Sequence, residues 1–278
     1  MKKLIQLGVV CLLIAQSLFG YAESAQFPHS VGVVKLIVND LARTQAFYEK
    51  YFGMREVNRY NYDPATFEES IMAFGNGDAS AGAQLALFAP NPKAEAPLQK
   101  SQFPVILFYT PNYDTVTKRM ADAGIAVNHL PSSEGSARIA IAKDPSGNAV
   151  EIYARNGATE IGGSKLIVDD RKKAEAFYQR IFGAKSGQVY AADNVYDEVI
   201  MQFQPGGAWL ALFQPLAEPA LQKSRFPLTV FYTSEFAAVV DRLKNEDLAM
   251  REVKVPGSDM QIVITNDPAG NAIEIIRR

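Results

Sequence analysis

A chain of 278 residues, 48% hydrophobic and 21% charged, has apolar material for one or two globular cores and lacks the compositional bias of a disordered or fibrous protein. Its 28 Lys and Arg against 30 Asp and Glu leave a formal charge of −2, which supplies no basic field to draw it onto phosphate backbones. Nucleic acid is therefore excluded as an expected partner.

The chain opens with Lys2 and Lys3, then an apolar stretch centred on Leu7 to Ala15, then small residues at Gly20, Ala22 and Ser24. This reads as a secretory signal peptide over residues 1–22, cleaved after Ala22 or alternatively after Ser24. Gln6, Gln16 and Ser17 interrupt it before the ~20 apolar residues that a membrane span needs. A periplasmic address follows, with no membrane contact after cleavage. Cys11, the only cysteine, lies inside this leader, so the exported chain is expected to hold no disulfide, thiolate metal site or cysteine nucleophile.

From Val31 to Val38 the residues alternate as in a strand, with Val34, Leu36 and Val38 on one side. Asp40 can cap a helix in which Phe47, Tyr48, Tyr51 and Phe52 recur at helical spacing, and Gly53 supplies its stop. Short β-type runs follow at Arg55 to Tyr60, Ser70 to Gly75 and Gln84 to Ala89. The same order restarts with a strand over Val105 to Thr110 and a helix over Tyr113 to Ala123 that ends at Gly124. Strands near Ile125 to Leu130, Arg138 to Ala142 and Ala149 to Ala154 complete it.

The chain then repeats itself. KLIVND (Lys35 to Asp40) returns as KLIVDD (Lys165 to Asp170), and AFYEKYFG (Ala46 to Gly53) as AFYQRIFG (Ala176 to Gly183). LALF recurs at Leu85 and Leu210, LQKSQFP at Leu98 becomes LQKSRFP at Leu221, and DPSGNAVEI at Asp144 becomes DPAGNAIEI at Asp267. These blocks mark two homologous domains, residues 27–155 and 158–278, each made of two βαβββ units. The Asp-Pro-x-Gly-Asn blocks (Asp144 to Asn148, Asp267 to Asn271) read as tight turns rather than metal loops, because Pro fixes φ and Gly accepts positive φ.

A first strand running into V-x-D, a helix carrying F-Y and closing on F-G, and a late D-P-x-G-N-x-x-E-[IL] together resemble the vicinal oxygen chelate superfamily. That superfamily includes glyoxalase I, extradiol dioxygenases, fosfomycin resistance enzymes and bleomycin-binding proteins. The resemblance implies an α+β fold of tandem duplicated domains. In each, the two βαβββ units of one domain would form an open cup of mainly antiparallel sheet with the helices outside. It also implies where a divalent metal would sit in the metal-dependent members: on side chains of the first, fifth and eighth strands, usually two histidines and a glutamate, sometimes with an acid on the fourth. Only Glu151 and Glu274 match such positions here. The first-strand position falls on Val33 and Gly163, the fifth on or beside Val105 and Leu228, and the fourth on Ala86 and Ala211. One donor of three or four cannot hold a borderline metal well. No metal or other cofactor is expected, a divalent metal being the alternative. The two histidines, His29 and His129, fall outside the family's ligand positions.

Strand parity puts Lys35 and Lys165 inside the cups together with Glu151 and Glu274, and each domain would then pair its own lysine with its own glutamate. These four are the candidate catalytic residues, though none has an assigned step. Gln84, Phe88, Tyr109, Tyr153, Trp209, Phe213 and Tyr232 share the inward parity and form the candidate ligand wall, and Gln84 against Trp209 makes the two cups inequivalent. The expected function is an exported small-molecule-binding protein without the family metal site, as a monomer or homodimer, taking a small organic ligand for which an aromatic wall is suited. The alternatives are a glyoxalase-like lyase or isomerase or an extradiol-type dioxygenase with atypical ligands, or a structural protein with vestigial cups.

Overall fold

The computed structural model describes residues 27–63, 67–75, 82–90, 98–101, 103, 105–130, 138–224, 226, 228–254 and 259–278. The expected signal peptide and Cys11 lie outside the described residues. The first unit comprises β1 (His29–Ile37), α1 (Leu41–Phe52), β2 (Arg55–Asp63), β3 (Phe67–Ala73) and β4 (Gln84–Pro90), and the second comprises β5 (Ile106–Thr110), α2 (Tyr113–Asp122), β6 (Val127–His129), β7 (Ile139–Lys143) and β8 (Ala149–Ala154). The third comprises β9 (Glu160–Ile167), α3 (Arg171–Phe182), β10 (Lys185–Ala192), β11 (Tyr196–Gln202) and β12 (Trp209–Pro215). The fourth comprises β13 (Thr229–Thr233), α4 (Phe236–Asn245), β14 (Met250–Lys254), β15 (Gln261–Asn266) and β16 (Ala272–Arg277).

The helix ends form as their residues dictate. Asp40 accepts from the Arg43 amide and Asp170 from the Lys173 amide, while Gly53 and Gly183 close α1 and α3 in the left-handed region at φ 73° and 63°.

The strands form two open eight-stranded sheets, ordered β14-β15-β16-β13-β1-β4-β3-β2 and β10-β11-β12-β9-β5-β8-β7-β6. Each sheet is mostly antiparallel, with β1/β4 and β13/β16 parallel in the first and β9/β12 and β5/β8 parallel in the second. The expectation that the two units of one repeat share a cup is corrected here. The first cup joins the first and fourth units through antiparallel β1 and β13, and the second joins the second and third through β5 and β9. Gly32 and Gly162 lie where the register of these central pairs slips by one residue, and a Cβ on either would meet the ring of Tyr232 or Tyr109 at about 2.5 Å or less.

Each repeat is nonetheless bound together beneath its helices. Phe52 of α1 stacks on Phe108 of β5 with centroids 4.0 Å apart, and Phe182 of α3 on Phe231 of β13 at 4.6 Å. The two repeats grip each other reciprocally: Gln99 donates to the Lys223 carbonyl and Gln222 to the Lys100 carbonyl, both at 2.8 Å.

The Asp144–Asn148 segment is a buried turn that works as a strut. The Asp144 carboxylate accepts from the amides of Ser146 and Asn148, from the Asn148 side chain and from the Tyr48 hydroxyl, and Asn148 Nδ2 donates onward to the Ile37 carbonyl of β1 at 3.0 Å. Burial holds this carboxyl above the ordinary aspartate range against those donors. Asp144→Ala would orphan several buried donors at once, so we expect it to cost at least ~2 kcal/mol, read as a lower urea midpoint at unchanged m-value.

Candidate functional site

The concave face of each sheet carries one lysine between two glutamates. In the first cup β1 points Lys35 inward, and its Nζ lies 2.9 Å from Glu274 Oε2 of β16 and 3.2 Å from Glu69 Oε1 of β3. In the second, Lys165 of β9 donates at 3.1 Å to both Glu151 Oε1 of β8 and Glu198 Oε2 of β11, and its ammonium lies 5.4 Å from the Phe103 ring centroid. These side chains are only 4–12% exposed, so the ion pairs are buried rather than solvated. Burial works against each ammonium, but the paired carboxylates outweigh it and hold both lysines above the ordinary lysine range. Burial also raises the Glu151 carboxyl, which Lys165 only partly offsets.

The inward parity of the four candidate charges stands, but their partners change. Because the cups cross the repeats, Lys35 meets Glu274 and Lys165 meets Glu151, not the reverse. Glu69 and Glu198 complete the sites and were not anticipated. Each triad has one positive and two negative groups, a net −1 when all are ionised. Glu151 Oε2 is buried without a hydrogen-bond partner among the described residues, and Glu69 Oε1 has only its ion pair with Lys35.

The walls differ as Gln84 and Trp209 suggest. In the first cup Val33, Ile71, Ala86 and Val230 form a small buried cluster, and Tyr60, Tyr232 and Ile276 pack onto it. Burial, with help from Tyr60 and Glu274, pushes the Tyr232 phenol up to about 12. In the second cup Gly163 takes the place of Val33, and Trp209 lies against it: a Cβ there would sit 2.4 Å from the indole. Trp209 Nε1 donates to Tyr109 Oη at 2.9 Å, Tyr109 meets Tyr153 edge-on at 5.9 Å, and the Arg155 guanidinium lies 3.6 Å from the Tyr109 centroid. Phe88 and Phe213 pack against Phe226 and Phe103, at 4.3 and 4.0 Å, each ring supplied by the other repeat. The LQKS-x-FP blocks that carry these two rings were legible only as a repeat.

The family model of the Glyoxalase/Bleomycin resistance protein/Dioxygenase superfamily matches residues 29–152 and again 160–275. The chain belongs to this superfamily. Glyoxalase I from Zea mays superposes with a TM-score of 0.76 at 18% identity, over 90% of this chain and 92% of that one. A candidate dioxygenase from Bacillus subtilis subsp. subtilis str. 168 gives 0.66 at 14% identity, over 89% and 84%. At these identities the likeness is one of fold. No curated protein sequence matches the chain.

Against the superfamily's metal positions, the side chains present do not fit a divalent ion. Val33 pairs across the sheet with Val230, which neighbours Glu274, and Lys35 sits beside Ala86, so the expected positions Val33 and Ala86 are apolar, as is Val230 between Val33 and Glu274, and the remaining neighbour is a cation. Val105 and Leu228, expected at or beside the fifth-strand position, belong instead to the core beneath the helices. Among the described residues no three His, Cys, Asp or Glu side chains converge on a common point. His29 bonds Thr233 at 2.8 Å and packs edge-on against Phe182, with burial holding its imidazole below the ordinary range, while His129 bonds the Tyr113 hydroxyl at 2.8 Å.

Proposed function

We propose that the protein is an exported, metal-independent small-molecule-binding member of its superfamily, with the ligand held on the concave face of a cup. One observation carries this reading: in both cups a lysine ammonium lies between two buried carboxylates. The chain thus supplies internally the charge that such carboxylates otherwise take from a cation. The apolar residues at the remaining ligand positions support the same conclusion.

Catalysis with lysine as the base is disfavoured by the same contacts. A base must be unprotonated near neutral pH, and carboxylates that favour the ammonium act against that. Export rests on Lys2, Lys3 and the apolar run behind them. Among the described residues no helix is long and apolar enough to cross a membrane.

A thermal-shift screen of aromatic and dicarbonyl compounds against divalent ions tests the proposal. A ligand at 100 times its Kd stabilises by ~2.7 kcal/mol, so an organic hit should raise Tm by several degrees, while chelator should leave Tm unchanged. A stoichiometric divalent ion in the purified protein, lost in Glu151→Ala, would overturn it.

A further inference from the structure

The second cup has a feature that its own residues leave unused. Glu151 Oε2 is buried in the triad with no hydrogen-bond partner among the described residues, whereas the other oxygen of that carboxylate takes the lysine. A buried acceptor left bare is costly, and it stands where a ligand donor would remove the cost. Around it the chain places π surfaces: Trp209 and Tyr109 are joined by their hydrogen bond, and Tyr153 stands two residues along β8 on the face of Glu151. Exposed Tyr190 of β10 lies within electrostatic reach of both Tyr109 and Glu198. Arg155 over Tyr109 shows that one of these rings already carries a cation on its face. The floor beneath has two carboxylates for one ammonium. The equivalent positions of the first cup hold Gln84, Tyr232, Ile276 and Tyr60, three of them packed onto an apolar cluster.

We infer that the second cup selects flat aromatic cations bearing an N–H donor, of the amidinium or protonated amino-heterocycle class. The ring lies against Trp209, and the N–H donates to Glu151 Oε2 once the tyrosines at the mouth swing aside. A monocation brings the triad to neutrality, an anion doubles its charge, and a neutral N–H donor leaves that charge in place. The inference rests on the proposed binding role and adds to it the ligand class and the cup.

The chain's single tryptophan is Trp209 itself, so its fluorescence reports this cup alone. The full exported chain is titrated with the near-isosteric series benzamidine, benzamide and benzoate, with Trp emission and Tm as readouts. Benzamidine should give saturable changes in both, benzoate none, and Glu151→Gln should weaken benzamidine by at least ~10-fold, the worth of one charge-assisted hydrogen bond. The wild-type series alone tests the charge preference should that variant fold poorly. Benzoate or benzamide binding as well as benzamidine overturns the ligand class while leaving the binding role intact, and undiminished benzamidine binding to Glu151→Gln overturns the acceptor. No response to any member overturns both.

Discussion

Lys165→Met is expected to destabilise the folded chain by about 3–5 kcal/mol, because removing one partner of a buried ion pair strands the other charge out of water. Here it strands two, since Glu151 and Glu198 both bond the same ammonium. The loss should depend on pH with a definite sign. In the wild type, Lys165 is held above the ordinary lysine range, so its contribution is fully present below the unfolded lysine pKa and is lost only as pH rises through the folded one. Glu151 has the same sign in a lower window: its folded carboxyl is raised, so what it contributes is present at low pH and is lost as pH rises from the unfolded glutamate value through the folded one. Without the lysine, Glu151 rises further and takes up a proton on folding. The gap between variant and wild type in urea unfolding should therefore be larger at pH 8 than at pH 5. A gap that does not change with pH would mean that the carboxylates are solvated. Replacing all three residues with apolar ones of similar volume should recover most of the loss, as it does for other buried ion clusters. That would make stability a poor explanation for keeping three charges in a cup. Lys35→Met should behave likewise in the first cup.

Why the sequence exposed two residues of each triad and hid the third follows from how inward acids disturb a strand's pattern. Lys35 and Glu274 sit in runs of Val, Leu and Ile whose alternation is plain. Glu69 follows Glu68 in a stretch that reads as loop, so β3 was expected from Ser70 although it starts at Phe67. The signal was nevertheless there: E-x-I-M-x-F occurs at Glu69 to Phe74 and again at Glu198 to Phe203, a further repeated block that places both missing acids at one strand position. The edges of β6 and β7 were similarly offset by one or two residues, where exposed polar residues give no period to read.

The exchange of units between cups was harder to read, because the second and fourth units present nearly the same strand edge: VILFYT at Val105 and LTVFYT at Leu228. Local pattern cannot choose between two homologous partners for β1. Connection length can. Between β8 and β9 lie only residues 155–159, whereas β4 reaches β5 through residues 91–105 and β12 reaches β13 through 216–228. Five extended residues span about 17 Å, enough to step over one strand and too short to leave for another cup. The third unit is thereby held beside the second, and the longer links carry the chain between sheets.

Produced alone, residues 27–157 are accordingly expected to form a homodimer. Within one repeat the inner edges of β1 and β5 have no mates, since in the whole chain they pair with β13 and β9. Two unpaired central edges would expose backbone donors and acceptors together with the buried faces beside them. A second copy supplies the remedy, its β5 standing in for β13. Lys35 and Glu69 of one protomer would then meet the partner's Glu151 in place of Glu274, the lysine and glutamate pairing that a single repeat can make only across copies. Light scattering on the eluting species decides this, and a folded monomer with cooperative unfolding would mean that a repeat closes its own cup. Lys35→Met in the half-length chain should weaken the dimer by raising its dissociation constant. In the full-length chain the same substitution lowers unfolding stability without changing the oligomeric state, because there the triad joins two parts of one covalent chain.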